Sequence, residues 1–247
     1  MTSQSNVLIS IATYNEIENL PSLVDKIFEH APNVDILIVD DNSPDGTGQW
    51  VDQRAAEDSR VACLHRAGKL GLGTATLAAF RHALQCKYDY VVTMDADFSH
   101  PPEKIPALIA EVQADRPDPV DVSIGSRYVP QGGIQGWPFY RHFMSRCVNL
   151  WARSWLGLNV RDCSGQFRCY RADFLRKIDF DHIRSTGYSY VEEILWRLSR
   201  AGARFSEIPI VFVDRQQGTS KINHMEALNA VWLIFYLGIS RPFRRRS

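Results

Sequence analysis

One pattern limits what this chain can fold into: through its first half, apolar runs rich in branched residues alternate with segments of helical spacing. Val7–Tyr14 (VLISIATY) is a continuous apolar run, as expected for a strand buried on both faces. From Asn15 to His30 the apolar residues Ile17, Leu20, Leu23, Val24, Ile27 and Phe28 recur at helix spacing. The cycle repeats with a strand at Val34–Asp41, a turn N-S-P-D-G-T broken at Asp45-Gly46, and a helix from Thr47 to Ala56. Strands at Val61–His65, Tyr90–Met94 and Val120–Gly125 follow, with helices at Gly71–Cys86 and Pro102–Val112 between them. This order implies right-handed crossovers and an α/β fold, a mainly parallel sheet covered on both faces by helices.

Beyond Tyr128 the pattern loosens. A Gly/Pro loop (PQGGIQGWP) precedes a helix at Arg141–Leu156, a strand at Phe167–Tyr170, a helix at Tyr190–Ala201 and a strand FSEIPIVFV. Gly218-Thr-Ser-Lys then interrupts before a terminal helix. Residues 1–223 read as one domain, with 224–247 as a C-terminal helix and basic tail.

In such sheets ligands bind beyond the carboxyl ends of the strands. That edge gathers Tyr14, Asn15 and Glu16; Asp40 and Asp41; Asp95 and Asp97; and Ser126 with Arg127. Asp95 and Asp97 end an apolar run, and residues two apart on an extended segment point to the same side. Two like charges held together cost stability, and a divalent cation removes that cost. Carboxylates suit Mg²⁺ or Mn²⁺, which also bind phosphate oxygens. His100 is less suited to that ion, and Pro101-Pro102 reads as the opening of a helix. Tyr14 offers a ring to stack on a base, while Glu16 and Asp41 offer acceptors for ribose hydroxyls or ring N–H groups. The segment GLGTAT (71–76) lacks the third glycine of a dinucleotide fingerprint and does not follow the first strand. It reads instead as close strand–helix packing or a loop lying against a nucleotide.

Charge divides along the chain. Residues 1–126 hold 9 basic and 19 acidic side chains, and residues 127–247 hold 19 and 9. The reading is an acidic half that manages a cation and a basic half that faces anions. The acidic edge opposes nucleic acid as the partner. Five cysteines without a C-x-x-C pair, behind an N-terminus with no signal-peptide pattern, read as reduced thiols in the cytosol. The apolar run Ala230–Ile239 is too short to span a bilayer, and Arg241, Arg244, Arg245 and Arg246 follow it. Apolar residues next to arginines suit either a core helix or a membrane surface.

ATYNE, VDDNSPDGT, MDADFSHPPE, GSRY, G-W-P-x-x-R and R-x-x-G-x-S-K occur in this order between about Val7 and Lys221. This set resembles the polyprenol-phosphate (dolichol-phosphate) mannosyltransferases, the dolichol-phosphate mannose synthase family, within the inverting GT-A-fold glycosyltransferases of family 2. The resemblance implies a Rossmann-like GT-A fold with a C-terminal interfacial helix. It implies that Ala12, Tyr14, Glu16, Val39 and Asp41 line the nucleotide. Asp95, Ala96 and Asp97 would hold metal and diphosphate, with Asp97 the closest ligand, and Arg127, Arg141, Arg215 and Lys221 would handle phosphates. Ala12 stands where the family often has proline. Ser99 stands where some members have a metal-binding glutamine, so either Ser99 or water completes the metal site.

The implied reaction is inverting transfer of mannose from GDP-mannose to a polyprenyl phosphate, giving polyprenyl phosphate mannose and GDP. A UDP-glucose-dependent polyprenyl-phosphate glucosyltransferase is the alternative, because Tyr14, Glu16 and Asp41 do not by themselves distinguish guanine from uracil. A phosphate acceptor is already ionised near neutral pH, so no catalytic base is assigned. Fixed cations are needed where two anionic reactants meet, and Arg215 and Lys221 flank a glycine-containing loop that could close over phosphates. Arg161, Arg176 and Arg204 read as surface salt bridges. A lipid acceptor places the protein peripherally on the cytosolic face of the membrane, in some family members with a separate membrane subunit.

Overall fold

The computed structural model describes residues 5–185, 187–214 and 224–239. Its first half is β1 (Val7–Thr13), α1 (Leu20–His30), β2 (Asp35–Asp40), α2 (Thr47–Glu57), β3 (Val61–His65), α3 (Leu72–Gln85), β4 (Tyr90–Met94), α4 (Ile105–Gln113) and β5 (Val122–Ser126). The second half is β6 (Gly133–Gln135), α5 (Phe139–Leu156), β7 (Arg168–Arg171), α6 (Ala172–Leu175), α7 (Tyr190–Arg200), β8 (Phe205–Pro209), β9 (Val211–Val213) and α8 (His224–Ile239).

Seven strands form one sheet in the order β3-β2-β1-β4-β7-β5-β8. The strands are parallel except β7, which runs antiparallel to both neighbours, β4 and β5. Every residue of β4 and of β5 is buried, including the serines of β5, so both faces of these strands are covered. The stretch 205–213, expected as one strand, is divided at Ile210. β8 joins the main sheet, and β9 pairs with β6 in a small parallel sheet.

The helices bury one side each. α1 has proline in its first turn and buries Leu20, Leu23, Val24 and Ile27. α5 ends at Gly157, whose φ of 69° supplies the left-handed cap that glycine adopts without strain. α7 carries Glu192 and Glu193 in its first turn and Arg197 and Arg200 in its last, matching the helix dipole.

Two apolar clusters lie against the sheet. One gathers residues of α1, α2 and α4, the other residues of α3, α5, α6, α7 and α8. Fully buried side chains such as Phe80, Ile11 and Leu195 contribute about 1.5–3 kcal/mol each. Ile234 and Leu237 of α8 are buried in the second cluster, and the indole N–H of Trp155 on α5 donates to the Phe235 carbonyl at 3.2 Å. The boundary expected at 223/224 therefore does not set α8 apart from the core. Its other side exposes Trp232, Phe235, Tyr236 and Ile239. No helix among the described residues is long and apolar enough to cross a membrane.

Candidate active site

The carboxyl ends of β1, β2 and β4 open into one cleft of about 180 Å³. Ala12, Tyr14, Glu16, Asp41, Asp95, Ala96 and Asp97 all line it, so most of the residues expected at the nucleotide and metal come together. Just past each of these strands a non-glycine residue takes positive φ: Asn15 at 59°, Asn42 at 58° and Phe98 at 60°. Asparagine tolerates that region; phenylalanine there is uncommon, and such backbone persists where its surroundings enforce it.

The N-S-P-D-G-T turn fixes the β1 loop against the β2 loop. The Ser43 hydroxyl accepts from the Asn15 N–H at 3.0 Å, and the Thr47 hydroxyl from the Glu16 N–H at 3.1 Å. Asp45 accepts from Ile17 N–H and from the Thr47 hydroxyl. Asp40 faces inward and accepts from Thr13 and Ser43, so only the second carboxylate of the Asp40-Asp41 pair reaches the cleft. Burial raises the Asp41 pKa above its ordinary value, with Arg66 working against it. Arg66 Nη1 lies 2.9 Å from Asp41 Oδ1, yet no hydrogen bond is aligned between them.

Asp97 is braced by its own loop. The Ser99 hydroxyl donates to Asp97 Oδ1 at 2.5 Å and the Ser99 N–H to the same atom at 3.1 Å. Ser99 is 2% exposed, and its hydroxyl orients the carboxylate. The backbone N–H of Asp95 donates to His100 Nδ1 at 3.0 Å. Burial pushes the His100 pKa down to about 4, so the ring is neutral, and it stacks on Phe167. With Nδ1 accepting from backbone, His100 contributes to the loop fold. Two carboxylates on one wall with no soft donor beside them fit a hard dication.

Val39 is the exception among the expected nucleotide contacts. Its side chain is fully buried among Leu37, Ala75 and Leu77, because it sits on the strand one pleat before the polar edge. Arg127 is not in the cleft wall either. It follows β5 and is fixed by Asp162, through Nε–Oδ2 and Nη2–Oδ1 at 2.7 Å each, with Ser164 at 2.8 Å. Burial opposes its charge, and Asp162 more than offsets this, so its pKa is raised. Arg141 bonds to Asp214 at 3.0 Å and lies over the Trp137 ring. Arg215 and Lys221 lie outside the described residues, as do Arg241, Arg244, Arg245 and Arg246. Arg176 and Arg204 pair with Asp173 and Asp118 as expected. Arg161 forms no side-chain ion pair among the described residues; its backbone N–H donates to Glu207 instead.

The structure adds wall residues that spacing alone did not mark. Lys69 sits 4.8 Å from the centre of the Tyr14 ring, and Gly71, Leu72 and Ala75 complete that side. The GLGTAT segment is thus the start of α3, with Gly71 capping it, and it lies against the cleft. Opposite are Gly187 and Tyr188. The chain leading to them is tied by Glu193, which accepts from Ser185 Oγ at 2.5 Å, from Arg184 N–H and from Arg197. A glutamate–arginine pair at i, i+4 in V-E-E-I-L-W-R is the signal that could have found this tie.

The whole chain can be overlaid on a mannosyltransferase from Pyrobaculum calidifontis solved with GDP-Man and Mn²⁺, with a TM-score of 0.61 and 18% identity over 66% of that chain. Glucosyl-3-phosphoglycerate synthase from Mycobacterium tuberculosis, with Mn²⁺, UDP and phosphoglyceric acid, gives 0.65 at 18% identity, covering 96% of this chain and 80% of that one. Both share the GT-A-like fold. By sequence, the chain is 48% identical over 217 residues to the undecaprenyl-phosphate mannosyltransferase of Micrococcus luteus, covering 88% of this chain and 87% of that protein. It is 41% identical over 233 residues to the polyprenol monophosphomannose synthase of Mycolicibacterium smegmatis, covering 94% and 86%. The model of glycosyl transferase family 2 matches residues 8–179, from β1 past the Asp95/Asp97 loop to the segment carrying Asp162, and with such relatives beside it this chain belongs to that family.

Proposed function

We propose that this chain transfers mannose, with inversion, from GDP-mannose to the phosphate of a polyprenyl lipid. The observation that carries the reading is the meeting of base-facing and diphosphate-facing groups in one cleft, Tyr14, Glu16 and Asp41 beside Asp95 and Asp97. The names of the two curated relatives support mannose and a polyprenyl acceptor.

Tyr14 stacks on the base, and the Asp41 carboxylate accepts from a base or ribose donor. Mg²⁺ or Mn²⁺ held by Asp95 and Asp97 would supply positive charge to the departing diphosphate. Lys69, at the rim over Tyr14, adds a cation on the donor side. Asp162 and Ser164 occupy Nε and Nη2 of Arg127, which leaves Nη1 to face a phosphate. Arg141, Arg215 and Lys221 complete the phosphate-handling set. The ionised acceptor oxygen attacks the anomeric carbon from the face opposite the nucleotide, with no residue required to take a proton.

The protein works peripherally at the cytosolic face, with α8 turning Trp232, Phe235 and Tyr236 outward, and with a membrane subunit as a candidate partner. The test is incubation with Mg²⁺ or Mn²⁺, polyprenyl phosphate and, separately, GDP-mannose, UDP-glucose or UDP-GlcNAc. Labelled lipid product from GDP-mannose alone is expected; product only from UDP-glucose overturns the donor assignment. Asp97→Ala should lower turnover at least about 100-fold while the circular dichroism spectrum stays unchanged.

A further inference from the structure

α5 carries a stripe that the cleft does not use. Phe139, Phe143, Arg146, Leu150 and Arg153 recur at helical spacing along one side of the helix. Phe139, Phe143 and Leu150 are 86%, 59% and 63% exposed. Arg146, Leu150 and Arg153 also form the wall of a second cleft of about 440 Å³, which Arg127 and Arg161 share. Of these four arginines only Arg127 has a carboxylate partner, Asp162; Arg146, Arg153 and Arg161 form no ion pair among the described residues. Arg153 Nε is closed off from solvent with no hydrogen-bond partner. Guanidinium groups without a carboxylate partner suit an anion with several acceptor oxygens.

We propose that this cleft binds the phosphate of an anionic phospholipid, while Phe139, Phe143 and Leu150 enter the boundary between headgroups and acyl chains. Arginines next to exposed phenylalanines on one helix side satisfy both layers of a bilayer surface at once: guanidinium groups meet phosphate, and rings meet hydrocarbon. A free anion in the cleft would leave the apolar half of the stripe in water. The proposal extends the membrane-surface reading above by assigning it to α5 and to a headgroup charge, and it rests on that reading for its biological setting.

The experiment is co-sedimentation of the full chain with vesicles of phosphatidylcholine alone, or with one third phosphatidylglycerol. The test variant is Arg146→Gln with Arg153→Gln; the control is Arg176→Gln with Arg204→Gln, an equal loss of charge elsewhere. Anionic vesicles are expected to bind the wild type preferentially, and the test variant is expected to bind them about tenfold to thirtyfold more weakly. The control should change by less than about threefold, on the same scale. Equal losses in both variants mean diffuse attraction and overturn the proposal, as does equal binding to both vesicle types. Inorganic phosphate that saturates the wild type without competing with vesicles would assign the cleft to a free anion and also overturn it. Mannosyl transfer to detergent-dispersed polyprenyl phosphate needs no bilayer. Failure there rejects the enzymatic reading, while the vesicle result stands on its own.

Discussion

Arg127 and Asp162 hold each other by three hydrogen bonds, two from the guanidinium at 2.7 Å and one from the Arg127 backbone N–H at 3.0 Å, with neither side chain more than 7% exposed. Replacing Asp162 with asparagine leaves a buried guanidinium without its counter-charge. The expected loss is about 3–5 kcal/mol, read by urea unfolding. Burial pushes the Asp162 pKa up, but Arg127 prevails and holds it below 3.8. The contribution is therefore complete above the ordinary aspartate range and declines as pH falls through the lowered value, so acid unfolding should shift to higher pH in the variant.

Glu192 should impose the opposite pH dependence. It is buried on α7, one carboxyl oxygen has no hydrogen-bond partner among the described residues, and burial raises its pKa from 4.5 to about 7. A raised carboxyl pKa gives stability that is present below the unfolded value and lost as pH climbs through the folded one. Wild-type stability should fall by about 3 kcal/mol between pH 4.5 and 7.5 from this group alone. Glu192→Gln should flatten that slope and be the more stable protein at pH 7.5, as measured by chemical denaturation at several pH values.

Ser99→Ala removes the hydroxyl that orients Asp97 but leaves both carboxylates in place. Loss of a group that positions a ligand typically weakens metal binding 10–100-fold. The metal concentration giving half-maximal transfer should rise by about that factor, while the rate at saturating metal falls less. An unchanged metal titration would show that Asp97 needs no brace.

A methyl group at Gly238 would stand 1.9 Å from Nε1 of Trp155, inside the contact that seats α8 on α5. Gly238→Ala should displace the indole, break its hydrogen bond to Phe235 and destabilise the protein by about 1–3 kcal/mol. Faster amide exchange confined to α8, with α1 and α3 unaffected, is the expected signature. Uniform protection would show that the helix shifts as a body at no cost.

The parallel core and its polar edge were legible because β1, β2 and β4 are buried on both faces and write that fact as largely apolar runs. The direction of β7 was not. Its residues suit a strand of either orientation, and only pairing with both β4 and β5 makes it antiparallel. That Tyr14, Glu16, Asp41 and Asp97 share one cleft was legible because strand ends concentrate at the edge. Lys69 and Arg66 escaped because their loop has no period. Arg127 was legible as a cation leaving β5 at the polar edge, but its commitment to Asp162 depends on two segments 35 residues apart in the chain. Ser99 was weighed as a ligand; what the sequence did not show is the bond from its hydroxyl to Asp97, set by the local turn.

The position of β7 fixes a distance as well as a topology. The strand bearing Asp95 and Asp97 and the strand leading to Arg127 are not adjacent; β7 keeps them two strand spacings apart, about 9.5 Å. The two strand ends are thereby held apart by backbone hydrogen bonds, while Asp162 keeps the Arg127 guanidinium engaged. The separation of these strand ends is thus as stiff as the sheet itself, and length changes in the loop entering β7 would leave that gauge untouched.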